Sequence, residues 1–190
     1  LTALSGVYEG VIGTLSDDLI DLSGYSATNN LYVSGHAGND VIYGPSQGFT
    51  VYGGSGNDTI YASELDVING GFGTDTAKFN QNVSSSLLSD SDLYRVENIV
   101  ITKATAGVYD FSNQTEALSI AGGLADDIIY ATSSDAVDGG LGSDTVRFNY
   151  GVTTQFSDSD LVNVVRIEIT NSSSGTYYFG YQTEALSITG

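Results

Sequence analysis

The sequence predicts an all-β chain wound as a parallel β-solenoid, of the β-roll or β-helix kind, with coils of 17–18 residues. Three observations predict it. A glycine–aspartate hexad recurs at nearly constant spacing, as Gly35-His-Ala-Gly-Asn-Asp40, Gly53-Gly-Ser-Gly-Asn-Asp58, Gly70-Gly-Phe-Gly-Thr-Asp75, Gly122-Gly-Leu-Ala-Asp-Asp127 and Gly139-Gly-Leu-Gly-Ser-Asp144. Apolar residues step by nine and eight, through Val51, Ile60, Ile68 and Ala77, and again through Ile120, Ile129, Val137 and Val146. A long unit also repeats: Gly70–Asn80 returns as Gly139–Asn149 at an offset of 69, and Gln114–Ile120 as Gln182–Ile188 at an offset of 68. A nine-residue half-turn of short strand plus tight turn sends successive apolar residues to two facing sheets. Two half-turns close a coil, and like positions stack at about the 4.8 Å strand spacing.

In chain order, strands are predicted at 40–43, 49–52, 59–61, 67–68 and 76–79, where Val, Ile, Thr, Tyr and Phe dominate. The 24 glycines disfavour helix, each costing about 1 kcal/mol in a helix interior. Pro45 falls in a turn, where its missing N–H costs no ladder bond. Residues 81–113 lack glycine loops, but Val96–Thr102 and Val108–Phe111 still read as strands. Ser89-Asp-Ser-Asp92 either caps a short helical turn or marks a wider coil. The whole chain, 1–190, is expected to be one array: N-terminal coils over 1–69, a first long repeat over 70–138, and a second over 139–190. That second copy stops in mid-repeat, since Glu184–Gly190 matches Glu116–Gly122, which runs straight into a glycine loop. With no Met at position 1, this reads as a piece of a longer protein.

Composition excludes several classes of function. A net charge of −18, with 23 acidic residues against five basic ones, leaves no basic footprint for nucleic acid. Without cysteine there is neither a disulfide framework nor a thiolate metal site. No apolar run approaches membrane-spanning length, and no signal peptide is visible. His36 is the only histidine and sits at a variable loop position, so zinc hydrolysis and His-dependent nucleophilic catalysis lack their residues. We expect no enzymatic activity.

The acidic residues are concentrated in the glycine loops. Stacking the coils brings Asp40 beside Asp58 and Asp58 beside Asp75. Two bare carboxylates about 5 Å apart repel by roughly 3 kcal/mol at an effective dielectric near 20. A hard divalent cation reverses that sign. Calcium accepts six to eight oxygens from carboxylates and backbone carbonyls, whereas magnesium demands a rigid octahedron. Glycines let a loop turn left-handed and aim carbonyls inward. Asp40, Asp58, Asp75, Asp127 and Asp144 are therefore the candidate metal ligands, with Gly35, Ala37, Gly54 and Gly56 as backbone candidates. Leu15-Ser-Asp-Asp18-Leu-Ile20 has the form of a first loop, but Asp18 lies 22 residues before Asp40, about four too many. An insertion around residues 23–30 would absorb the excess. The sequence leaves open whether Asp18, Asp92 or Asp110 holds an ion.

Segments 35–43, 53–61, 70–78, 122–130 and 139–147 resemble the repeats-in-toxin (RTX), or haemolysin-type calcium-binding, family. That resemblance implies a calcium-dependent β-roll in a protein exported by the type I route and folded outside the cell. Carried over by position, it implies calcium between the loops of Asp40 and Asp58, of Asp58 and Asp75, and of Asp127 and Asp144. In the family the motif lines both sides of the roll. Here the alternate half-turns Gly44–Gly48, Ser63–Asp66 and Ser133–Asp135 are degenerate, so calcium is expected along one edge only. The long repeat is similar, less specifically, to solenoids of bacterial surface-layer proteins.

Tyr43 and Tyr61 share an outward position on successive coils and are followed by Lys78; Tyr130 is followed likewise by Arg147. Cross-strand aromatic and cation–π pairs are the expected role, with glycan contact as the second. The functional expectation is a calcium-stabilised structural solenoid of a secreted bacterial cell-surface protein, in a surface layer or extracellular filament, assembling with neighbouring copies. The alternatives are a folding and secretion module of an exported enzyme or toxin, and a carbohydrate-binding adhesin. An ice-binding surface lacks the Thr-x-Thr ladders it would need.

Overall fold

The computed structural model describes residues 8–25, 30–149, 153–157, 159–170, 176–179 and 186–189. They form an all-β parallel solenoid, as expected. Three sheets build it. A central eight-stranded sheet contains β2 (Leu19–Asp21), β4 (Val41–Tyr43), β6 (Thr59–Ala62), β8 (Thr76–Phe79), β10 (Asn98–Ile101), β12 (Ser119–Ala121), β14 (Ala136–Asp138) and β17 (Leu161–Val162). Facing it over the first half is a sheet of β1 (Tyr8–Ile12), β3 (Asn30–Ala37), β5 (Thr50–Ser55), β7 (Val67–Phe72) and β9 (Leu93–Tyr94). Facing it over the second half is a sheet of β11 (Val108–Asp110), β13 (Ile128–Tyr130), β15 (Asp144–Phe148), β18 (Val164–Ile169) and β20 (Ser187–Thr189). A separate parallel pair joins β16 (Thr153–Gln155) to β19 (Thr176–Tyr178).

Register follows the apolar steps. Ile20, Ile42, Ile60, Ala77, Ile99, Ile120 and Val137 stack in one buried column of the central sheet. Val33, Val51, Ile68 and Leu93 oppose them from the first facing sheet, and Tyr109, Ile129, Val146 and Ile167 from the second.

Coils of 17–18 residues hold only where the glycine loops are. Val41 pairs with Thr59 and Thr59 with Thr76, but Thr76 pairs with Asn98, 22 residues on, and Asn98 with Ser119, 21 on. The extra residues form a wide coil. Val83 bridges to Tyr109, and Ser89 caps a 3-10 turn over Asp90–Asp92, so both readings of that segment hold. Thr50–Asp66 buries Val51 and Ile60, whereas Thr76–Glu97 buries Ala77, Phe79, Val83, Leu88, Leu93 and Val96. At about 1.5–3 kcal/mol per large side chain, the wide coils carry much of the apolar stabilisation.

The wide coils also change which edge the loops occupy. Loops 35–40, 53–58 and 70–75 precede β4, β6 and β8, at the edge where the chain enters the central sheet. Loops 122–127 and 139–144 follow β12 and β14, at the opposite edge, where it leaves. Sixty-nine residues at 17 per coil would be four whole coils. Two wide coils reduce this to three and a half, so equivalent strands β8 and β15 lie on opposing sheets. The glycine loops thus line two edges, not the single edge expected from the sequence.

Candidate metal centre: two columns of glycine loops

At the entry edge the loops stack through a reciprocal ladder. The Asp40 N–H donates to Asp58 Oδ1 and the Asp58 N–H to Asp75 Oδ1, both at 2.8 Å. In the other direction, the Asn57 N–H donates to Asn39 Oδ1 (2.7 Å) and the Thr74 N–H to Asn57 Oδ1 (2.9 Å). The exit edge repeats both bonds, from the Asp127 N–H to Asp144 Oδ1 and from the Ser143 N–H to Asp126 Oδ1, each at 2.8 Å. Each motif aspartate thus spends one oxygen on the neighbouring coil.

In four of the five loops its second oxygen is left without a partner. Oδ2 of Asp40, Asp58, Asp75 and Asp144 is buried and accepts no hydrogen bond. In each loop it lies against the first glycine, where a carbonyl from the next coil also arrives. A Cβ on Gly35 would strike both Asp40 Oδ2 and the Gly53 carbonyl; one on Gly53 would strike Asp58 Oδ2 and the Gly70 carbonyl. A buried carboxylate oxygen with no donor is an uncompensated arrangement unless a cation enters. Among the described residues no three His, Asp or Glu side chains converge, so the remaining ligands of any ion would be backbone carbonyls. That oxygen-only donor set fits calcium.

Left-handed backbone, which glycine adopts without strain, recurs at the second and fourth loop positions. Gly54, Gly71 and Gly140 at the second, and Gly38, Gly56, Gly73 and Gly142 at the fourth, all have φ between +85° and +144°. His36 occupies the second position at φ +83°, a strained conformation for a side-chain-bearing residue, and is exposed. Of the backbone candidates, Gly35 lends its carbonyl to the space at Gly13, Gly54 and Gly56 lay theirs against Gly71 and Gly73, and Ala37 pairs in register with Ser55.

Burial raises the pKa of these carboxyls, and neighbouring carboxylates add to it. Asp58 is pushed up to about 6 by burial, with Asp75 and Asp40 contributing. Asp144 is pushed up to about 6 by burial, with Asp127, Asp126 and Asp138 contributing. Asp40, Asp75 and Asp127 are raised chiefly by burial. Asp127 differs from the rest, because its Oδ2 accepts from the Gly123 N–H (3.4 Å). Ala125 holds the fourth position of that loop and does not take the left-handed conformation its glycine counterparts adopt.

Other aspartates are satisfied from within. Asp18 stacks beneath Asp40, its N–H donating to Asp40 Oδ1 (2.8 Å), so the first loop joins the column; its Oδ2 accepts from the Thr14 hydroxyl (2.9 Å) and N–H. Asp66 and Asp135 accept from the N–H three residues back, in Ser63 (2.6 Å) and Thr132 (2.7 Å), and from the adjacent coil through Phe49 and Leu118. Asp92 accepts from the Ser89 N–H (2.9 Å), and Asp110 from the hydroxyls of Ser112 and Ser85. Two of the three half-turns read as degenerate, at 63–66 and 132–135, are thus hydrogen-bonded closures with a signal of their own, Ser or Thr three residues before Asp.

The tyrosines stack on one another. Tyr43 and Tyr61 are parallel at 4.1 Å, and the Lys78 ammonium lies 5.1 Å from the Tyr61 ring centre. Arg147 covers Tyr130 at 5.3 Å, hydrogen bonds its hydroxyl (2.7 Å) and pairs with Glu168.

Fold and loops together define a parallel β-solenoid with glycine-loop cation sites. A family model of the RTX calcium-binding nonapeptide repeat matches the chain in four copies, over residues 32–44, 50–77 and 119–146. The matched segments take in all five glycine loops of the two columns. No curated protein and no solved structure matches it.

Proposed function

We propose that this chain is a calcium-stabilised structural solenoid of a secreted bacterial cell-surface protein, without enzymatic activity, which folds and assembles on meeting extracellular calcium. The observation that carries the reading is the set of four buried, unpartnered Asp Oδ2 atoms, each facing a carbonyl of the next coil. Calcium, when bound, supplies the positive charge that those oxygens lack. The chain's own part is to hold the acceptors in place through the reciprocal ladder and to keep water out with the buried column beneath. RTX repeats are typical of secreted proteins, and among the described residues no helix is long and apolar enough to cross a membrane. A surface-layer or filament role rests on the long repeat. Service as a secretion module of an exported enzyme or toxin uses the same calcium chemistry and stays as the alternative. Glycan binding through Tyr43 and Tyr61 draws less support, since their ring faces are spent on each other and on Lys78.

Sedimentation velocity in chelator and in millimolar calcium tests the proposal. An expanded monomer that compacts or assembles with calcium is expected. A species equally compact in both would refute it.

A further inference from the structure

The entry-edge column does not end with its glycine loops. Above Gly53 the acceptor facing Asp58 Oδ2 is the carbonyl of Gly70, first residue of the next loop. Above Gly70 the same place is taken by the carbonyl of Arg95, in the glycine-free turn between β9 and β10, and it faces Asp75 Oδ2. Arg95 reaches that position only at φ +53°, in the left-handed region that its side chain disfavours. Two residues on, Glu97 Oε2 accepts the Asp75 N–H at 2.8 Å, the bond that an Asp of a further loop would accept. The Arg95 guanidinium lies 5.2 Å from the Phe72 ring centre and 5.3 Å from that of Tyr94.

We propose that Asp75, the Arg95 carbonyl and Glu97 form a further calcium site, closing the entry-edge column where the RTX match ends. The site rests on the calcium reading above. It has two carboxylates and a carbonyl at one level, and Asp75 is fully buried with Oδ2 unpartnered. The exit edge offers an internal comparison. There Asn163, also left-handed at φ +54°, brings its carbonyl to Gly139 beside Asp144, but Val165 stands at the place of Glu97, so that end lacks the second carboxylate.

The test is calcium stoichiometry of the full chain by isothermal titration calorimetry, with circular dichroism in calcium to verify the fold. Glu97→Gln keeps an oxygen acceptor for the Asp75 N–H but removes the charge. It is expected to bind one ion fewer than the wild type, or to bind that ion at least about tenfold more weakly, while the fold is retained. Arg95→Gly keeps the carbonyl and relieves the left-handed strain, so it is expected to bind the same number of ions as the wild type. A Glu97→Gln chain with wild-type stoichiometry and affinities would overturn the site, as would loss of an ion in Arg95→Gly. A wild-type chain that takes up no calcium would instead refute the proposed function.

Discussion

Asp58→Asn separates the two roles of a motif aspartate. Asp58 lies between the loops of Asp40 and Asp75: its Oδ1 accepts from one coil, its N–H donates to the next, and its Oδ2 has no partner. The amide keeps the acceptor and removes the charge. In chelator, burial holds the Asp58 carboxyl near 6 against an ordinary 3.8, a cost to the ionised form of about 3 kcal/mol at neutral pH. The variant is therefore expected to be more stable than the wild type without calcium, by up to about that amount. With calcium at 100 times its Kd, each occupied site adds about 2.7 kcal/mol, and Asp58 flanks two. The variant is then expected to be less stable than the wild type by several kcal/mol. Urea unfolding followed by far-UV circular dichroism, in chelator and in calcium, reads both signs. A variant destabilised equally in the two conditions would refute the reasoning, leaving Asp58 with only its hydrogen bonds.

Three further outcomes are expected. His36→Gly relieves a side-chain-bearing residue at φ +83° and should raise stability by about 1 kcal/mol, read as a higher urea midpoint. Ala125→Gly lets the loop of Asp127 adopt the left-handed fourth position of its counterparts, and should tighten calcium binding at the exit edge by roughly tenfold in calorimetry, or about 1.4 kcal/mol. Chelated protein should lose stability as pH rises. Burial pushes Asp66 up to about 7, and Asp58 and Asp144 up to about 6. Such raised carboxyls contribute stability that is full below their unfolded values and lost as pH climbs through the folded ones. Melting temperature in chelator should therefore fall between about pH 4 and pH 7, and a profile that rises over that window would contradict this.

Much of this architecture was legible in residue spacing. The 17–18-residue steps between motif aspartates gave the coil, the nine-and-eight apolar steps gave the two facing sheets, and the glycine positions gave the left-handed loop backbone. The edge exchange was not legible, because the wide coils at residues 76–119 carry no glycine–aspartate loop and their length follows from how Val83, Leu88 and Leu93 pack. Asp18 joins the column with the same first-glycine geometry, at Gly13, but the Thr14 hydroxyl and N–H satisfy its Oδ2. The place of Arg95 was hidden for a different reason: a backbone carbonyl has no side-chain signature, and only the left-handed turn discloses it. The Ser/Thr-x-x-Asp closures did leave a signal, at 63–66, 89–92, 132–135 and 157–160, which spacing between glycine loops passes over.

The central claim is that calcium binds in two columns on opposite edges of one sheet. A long-wavelength anomalous difference map from crystals grown in millimolar calcium tests it most directly. The account predicts peaks beside Asp40, Asp58 and Asp75 along the entry edge, and beside Asp127 and Asp144 along the exit edge. Peaks confined to a single edge, or a map with none at the motif aspartates, would contradict it.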